Sequence, residues 1–191
     1  MLERGATAAV QSLGRTDGFL SNPQVKIQLP EFLEAAVRLF STLGKQISVD
    51  DFSALMNHAA EKAVAEAKPL LVDAVKSMSI EDALQIVQGG DTAVTQFFVR
   101  KTREPLSQKF LPIVTKATQG NALVEQYNSL AANAASMHLA KKDELTLQGY
   151  VTGKALDGLY LVIGEEEKKV RRNPASAGSA LLQKVFGASK Q

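Results

Sequence analysis

The stretch Tyr150–Pro174, YVTGKALDGLYLVIGEEEKKVRRNP, constrains the fold more than any other part of the chain. It reads as one long helix that ends in a charge run and a proline, which cannot continue it. At about 100° per residue, Val151, Ala155, Leu156, Leu159, Val162, Ile163 and Val170 share one face, with Thr152 among them. Such a stripe must be buried against other elements, so this helix is read as the centre of a helical core. The charge run is not uniform. Glu166 falls on the apolar face between Leu159, Val162 and Val170, whereas Glu165 points away and Glu167 lies at the edge. Glu165 with Lys169, and Glu167 with Arg171, stand in the favourable acid-first i,i+4 order and are assigned to surface pairing. Glu166 is either exposed, where the core has thinned towards the helix end, or buried and in need of a partner, because an unpaired buried carboxylate is costly.

The rest of the chain repeats the helical pattern. Leu2–Leu13 is a helix stopped at Gly14, and Glu31–Leu43 is another, stopped at Gly44. Ser48 is an N-cap with Asp51 three residues on, opening a helix to about Lys68 that Pro69 kinks or interrupts. Leu70–Met78 continues as helix, Ser79 caps a short one that ends at Gly89-Gly90, and Asp91 caps one through about Thr102. Arg103–Thr118 reads as a separate piece bent at Pro112, followed by Asn121–Ala135 and, after a polar connection and a capping Thr146, the long helix. Ser179–Phe186 forms a last short helix before a tail, 188–191, that frays. No alternating pattern is longer than the VKIQL piece within 15–30. That connection carries Phe19, Leu20, Val25, Ile27 and Leu29, too apolar for a free linker, and is expected to lie on the body of the domain. The fold class is all-α: a single-domain irregular bundle of about eight or nine helices over residues 1–191, some kinked at proline.

Composition limits the function. A net charge of +2 from 22 basic and 20 acidic residues offers no concentrated basic face for nucleic acid. The absence of cysteine excludes disulfides, thiol catalysis and thiolate metal sites. No run is apolar for the ~18 residues of a membrane span, and no apolar signal core follows Met1. Gly89-Gly90 lacks the Lys-Ser/Thr of a phosphate loop, and no serine sits in a nucleophile elbow. His58 points away from the apolar face of its helix and His138 lies in a polar connection; neither joins a ligand or triad pattern.

The candidate polar residues are few. Asn57 and Glu61, one turn apart, edge the stripe of Phe52, Leu55, Met56, Ala59, Ala60 and Ala63, whose small residues let another helix approach closely. They are read either as a polar border to the core or as part of a buried cluster with Glu166, Tyr127 or Arg100. Glu61 and Glu166, with Asp73, are the weak candidates for holding a hard cation, as paired glutamates do in helical bundles. No Glu-x-x-His pattern supports a di-iron version, and no cofactor is expected. Asp157 is placed to pair with Lys154, and Tyr150, Asp157 and Leu161 give the outer side of the long helix enough apolar surface to be covered as well. The last helix, with Leu181, Leu182, Val185 and Phe186, or a partner is expected to cover it.

Several strings then fall into a known order: DGFLSNP with V, I and LP at 17–30, MN–AAE–AV–EAK at 56–68, FLPIV at 110–114, YN at 127–128, and YVT–KALDGL––VI–EEEKK–R–NP at 150–174 with a later LL–KVFG. On these the chain resembles the bacterial family called domain of unknown function 4197, over essentially its whole length. The resemblance implies a helical protein of Gram-negative bacteria, usually made with an N-terminal signal sequence. By it the chain is expected to be a mature periplasmic portion, and no activity comes with it. Family members often carry acidic residues just before the YVT string, where this chain has Leu147, Gln148 and Gly149, which argues against a metal held at that helix start. Three readings follow. The first is a non-enzymatic module of the envelope that binds a protein or an apolar small molecule, between helices or under the 19–29 segment. The second is a metal-binding protein or metal-assisted hydrolase using Glu61, Glu166 and Asp73. The third is a self-associating structural protein.

Overall fold

A computed structural model describes residues 2–43, 48–141 and 144–172. They form eight α-helices: α1 Leu2–Leu13, α2 Glu31–Thr42, α3 Val49–Ala65, α4 Lys68–Lys76, α5 Ile80–Gln88, α6 Ala93–Thr118, α7 Ala122–Ser136 and α8 Leu147–Arg172. No strand occurs among the described residues, so the all-α class is correct. The short helix at 179–186 and the tail at 188–191 expected from the sequence lie outside the described residues.

The ends follow local chemistry. Ser48 accepts the amide of Asp51, and Ser79 forms a reciprocal capping box with Asp82. Asn121 caps α7 through the amide of Leu123, and the Thr146 hydroxyl accepts the amide of Gly149 in the first turn of α8. Pro69 has no N–H for the helix behind it, but its fixed φ suits a first turn, so α3 ends at Ala65 and α4 opens with the proline at its start.

The two helices expected over 91–118 are one. α6 runs unbroken through Pro105 and Pro112. Both prolines lie on its exposed side, where a carbonyl that loses its partner can bond water. Thr102, Leu106, Phe110 and Val114 are buried at four-residue spacing across both, so packing keeps the helix continuous where local propensity would end it.

α8 lies at the centre, against α6, α3 and α1, with α3 also packed on α6. α4 covers α1 and α6, α5 covers α6, and α2 pairs with α7. The second side of α8 is covered in part, by the chain between α1 and α2: Tyr150 is buried, while Asp157 and Leu161 are exposed, and the last helix lies outside the described residues. Phe19, Val25 and Ile27 are buried there, and the Tyr150 hydroxyl donates to the carbonyl of Gln28 at 2.8 Å. Gly158 makes this contact possible. A Cβ built on it would lie 2.7 Å from Cε1 of the Phe19 ring.

Candidate functional site

The candidate polar residues separate into different places. Asn57 and Glu61 are both buried in α3, but their partners are the backbone of the 14–30 segment. Asn57 Oδ1 accepts the Ile27 amide at 2.8 Å, while Nδ2 donates to the Ile27 carbonyl at 3.1 Å and to that of Ser53 at 2.8 Å. The side chain thus engages both backbone groups of Ile27, as a neighbouring strand would. One turn on, Glu61 accepts the amides of Phe19 and Leu20 on Oε1, at 3.0 and 3.2 Å, and the amide of Asp17 on Oε2 at 3.1 Å. Tyr127 is buried on α7, stacked edge-on to Phe32 and bonded through its hydroxyl to the Glu144 carbonyl. Arg100 is exposed, bonded to Gln85 and 3.5 Å from Asp82, and Asp73 is exposed on α4.

The sequence wheel chose the wrong glutamate in α8. Glu166 is half-buried beside Gly5 of α1, with Lys169 at 2.7 Å. Its side chain keeps 27% of its exposure, whereas that of Glu167 keeps none. Glu167 accepts the amides of Val94 and Thr95 and the Thr95 hydroxyl, each at 2.9 Å, and Nε and Nη2 of Arg171 at 3.0 and 2.9 Å. It therefore caps α6, whose own N-cap residue Thr92 makes no side-chain cap bond, and Asp91 is not the cap. The cause is tertiary. Tyr160, bonded to Thr102 of α6, and Glu167 seven residues later lie on the edge of α8 that α6 covers. Burial pushes the Tyr160 phenol up from its ordinary range. The other pairings also shift: Glu165 bonds Lys168 at three-residue spacing, and Asp157 pairs across to Arg103 at 2.8 Å in place of Lys154. Lys168 holds the Glu165 carboxyl below its usual range.

A cleft of about 890 Å³ opens where α1 ends, between the turn after it, α3 and α6. Gly14, Arg15 and Thr16 form one wall, His58, Glu61, Lys62, Ala65 and Glu66 a second, and Pro112, Ile113 and Lys116 the third. Gly14 is required by contact, since a Cβ there would sit 2.8 Å from the Cα of Ala65. Beyond it Asp17 takes a left-handed φ of +59°, and its Oδ1 lies 3.1 Å from Nε2 of His58, which is half-buried and paired rather than free. One ligand atom from each of Asp17, His58 and Glu61 falls within 4.8 Å of the others. It is the one such group of three among the described residues, and it contains neither Glu166 nor Asp73. Glu61 lines the cleft with Gly14, just past the end of α1, whereas Glu166 lies beside Gly5 near its start. The sequence reading missed Asp17, His58, Arg15, Lys62 and Lys116. The usable signals were the Asp-Gly dipeptide, which favours a left-handed residue, and the three-residue spacing of His58 and Glu61, which puts both on one helical face.

Fold and site define an all-helical protein built round its two longest helices, α6 and α8, with buried carboxylates on α3, α5 and α8 and a cation-rimmed cleft between α3, α6 and the turn after α1. The chain belongs to the family described as protein of unknown function (DUF4197), whose profile matches residues 1–187. No curated protein and no solved structure matches it. No helix among the described residues is long and apolar enough to cross a membrane.

Proposed function

We propose that this protein is a non-enzymatic binding module of the bacterial envelope, and that its cleft receives a ligand bearing a carboxylate or phosphate group. One observation supports the reading. Arg15, Lys62 and Lys116 come from three separate elements, are exposed, border one cleft, and have no ion-pair partner among the described residues. Of the acids on the same walls, Glu61 is turned towards three backbone amides of the 17–20 turn, and Glu66 is exposed at the rim. Ala65, Pro112 and Ile113 supply apolar contact between the charges, the mixture that ligand sites use to gain both affinity and orientation. An apolar ligand under the 19–29 segment has less to recommend it, because Phe19, Val25 and Ile27 are already buried there. Placement in the envelope rests on the family resemblance and is tested by fractionating cells that make the native-length protein.

The binding reading is tested by amide NMR during titration with citrate or inorganic phosphate at constant ionic strength. Amides of 14–16, 58–66 and 113–116 should shift together and saturate, and a Lys62→Glu/Lys116→Glu variant should lose the response. Shifts that chloride reproduces equally, or that are spread over the whole surface, would refute it.

A further inference from the structure

We infer that Asp17, His58 and Glu61 form a binding site for one divalent first-row transition-metal ion at the edge of the cleft. The donor set is two carboxylates and one imidazole, with one ligand atom of each within 4.8 Å of the other two. Neutral imidazole and two carboxylates bring two negative charges, which a divalent ion neutralises. The nitrogen donor selects zinc or its neighbours in the first row over magnesium or calcium, which prefer all-oxygen shells. The Glu61 oxygens are not equivalent. Oε1 already accepts two amides, whereas Oε2 accepts one and keeps a lone pair for the metal.

Preorganisation is the second strand of the argument. His58 and Glu61 are three residues apart on one helix, so their spacing is set by α3. Asp17 is held by its own amide on Glu61, so one metal ligand positions another through the backbone. Gly18, where a Cβ would lie 2.5 Å from the Leu13 carbonyl, fits the turn tightly against the end of α1. The contact of 3.1 Å between His58 Nε2 and Asp17 Oδ1 brings two donor atoms together where one ion would bind both. His58 and Glu61 also line the cleft, which leaves room for water or a ligand to complete the shell.

The 191-residue chain, stripped with chelator, should be titrated with zinc chloride at neutral pH by calorimetry. One ion per chain is expected, with Asp17→Asn and His58→Gln each weakening binding by about tenfold or more. His138→Gln, which alters the other histidine, should leave it unchanged. Circular dichroism establishes that each variant is folded. Ring-nitrogen NMR of the unaltered chain asks the same question without substitution: the His58 resonances should move with zinc and those of His138 should not. Absence of saturable binding, binding that survives both substitutions, or an unmoved His58 ring would overturn the assignment.

Discussion

Replacing Glu167 tests how α8 is joined to α6. In Glu167→Gln one of two acceptor oxygens becomes a donor, while the groups around it are the Val94 and Thr95 amides, the Thr95 hydroxyl and Arg171. The hydroxyl can turn to accept, but at least one amide faces another donor. Arg171, whose side chain is only 13% exposed, loses its counter-charge. An orphaned amide costs about 1–3 kcal/mol, so a loss of about 2–3 kcal/mol is expected once the weakened Arg171 contact is added. Glu167→Ala removes the acceptor from all of these donors and takes the Glu167 charge from a nearly buried guanidinium, for about 3–5 kcal/mol. Glu166→Gln disturbs a half-exposed pair with Lys169 and should cost no more than about 0.5 kcal/mol. The assay is urea unfolding followed by circular dichroism, with Arg171→Ala and the double variant completing a cycle whose coupling should exceed about 1 kcal/mol. If Glu167→Gln lies within about 0.5 kcal/mol of the parent, or if Glu166→Gln costs as much, the capping account is wrong.

Three other outcomes follow from the same reasoning. Asn57→Asp should be more damaging than Asn57→Ala although it is nearly isosteric, because a carboxylate would face the carbonyls of Ile27 and Ser53; equal melting temperatures would count against this. Gly158→Ala should lower stability by about 1–3 kcal/mol through overpacking against Phe19, in spite of the ~1 kcal/mol that alanine gains in helical propensity; a more stable variant would show that the ring yields freely. The hydrogen bond from Lys101 holds Asp82 below its ordinary pKa of 3.8, so its stabilising effect is present above that value and fades as pH falls through the lower folded value. Acid unfolding of Asp82→Asn should lose that part of the pH dependence, and superimposable acid transitions would rule it out.

Much of the bundle was legible because its punctuation is local. Ser48, Ser79, Asn121 and Thr146 act through residues within a turn of themselves, and they begin helices where the sequence reading put them. The exceptions have a common cause. Pro105 and Pro112 did not break α6 because distant packing outweighs a local preference. Glu166 and Glu167 differ by one residue, about 100° on the helix, and which of them is buried depends on an α6 terminus that lies 73 residues away from Glu167. The polar character of Asn57 and Glu61 at a core edge was visible. Their partners were not, since those are backbone amides of an irregular segment, and every sequence has such amides everywhere. The cleft escaped notice for a related reason: Arg15, Lys62 and Lys116 are unremarkable surface residues until three elements converge.

The bonds from α3 to the 14–30 segment also imply an order of events. That segment contains no regular secondary structure, and two side chains on successive turns of α3 read four of its amides. They can do so only when the helix exists, since unwinding it by even one residue would swing the two side chains out of register. α3 therefore acts as a jig on which a shapeless run of chain is cast. The spans to be closed, 30 residues for Asn57 and 44 for Asp17 to Glu61, cost more chain entropy than the turns of the helix, so the casting is expected to follow the helix. Asp17 and the wall it builds should be among the last parts of the molecule to take form.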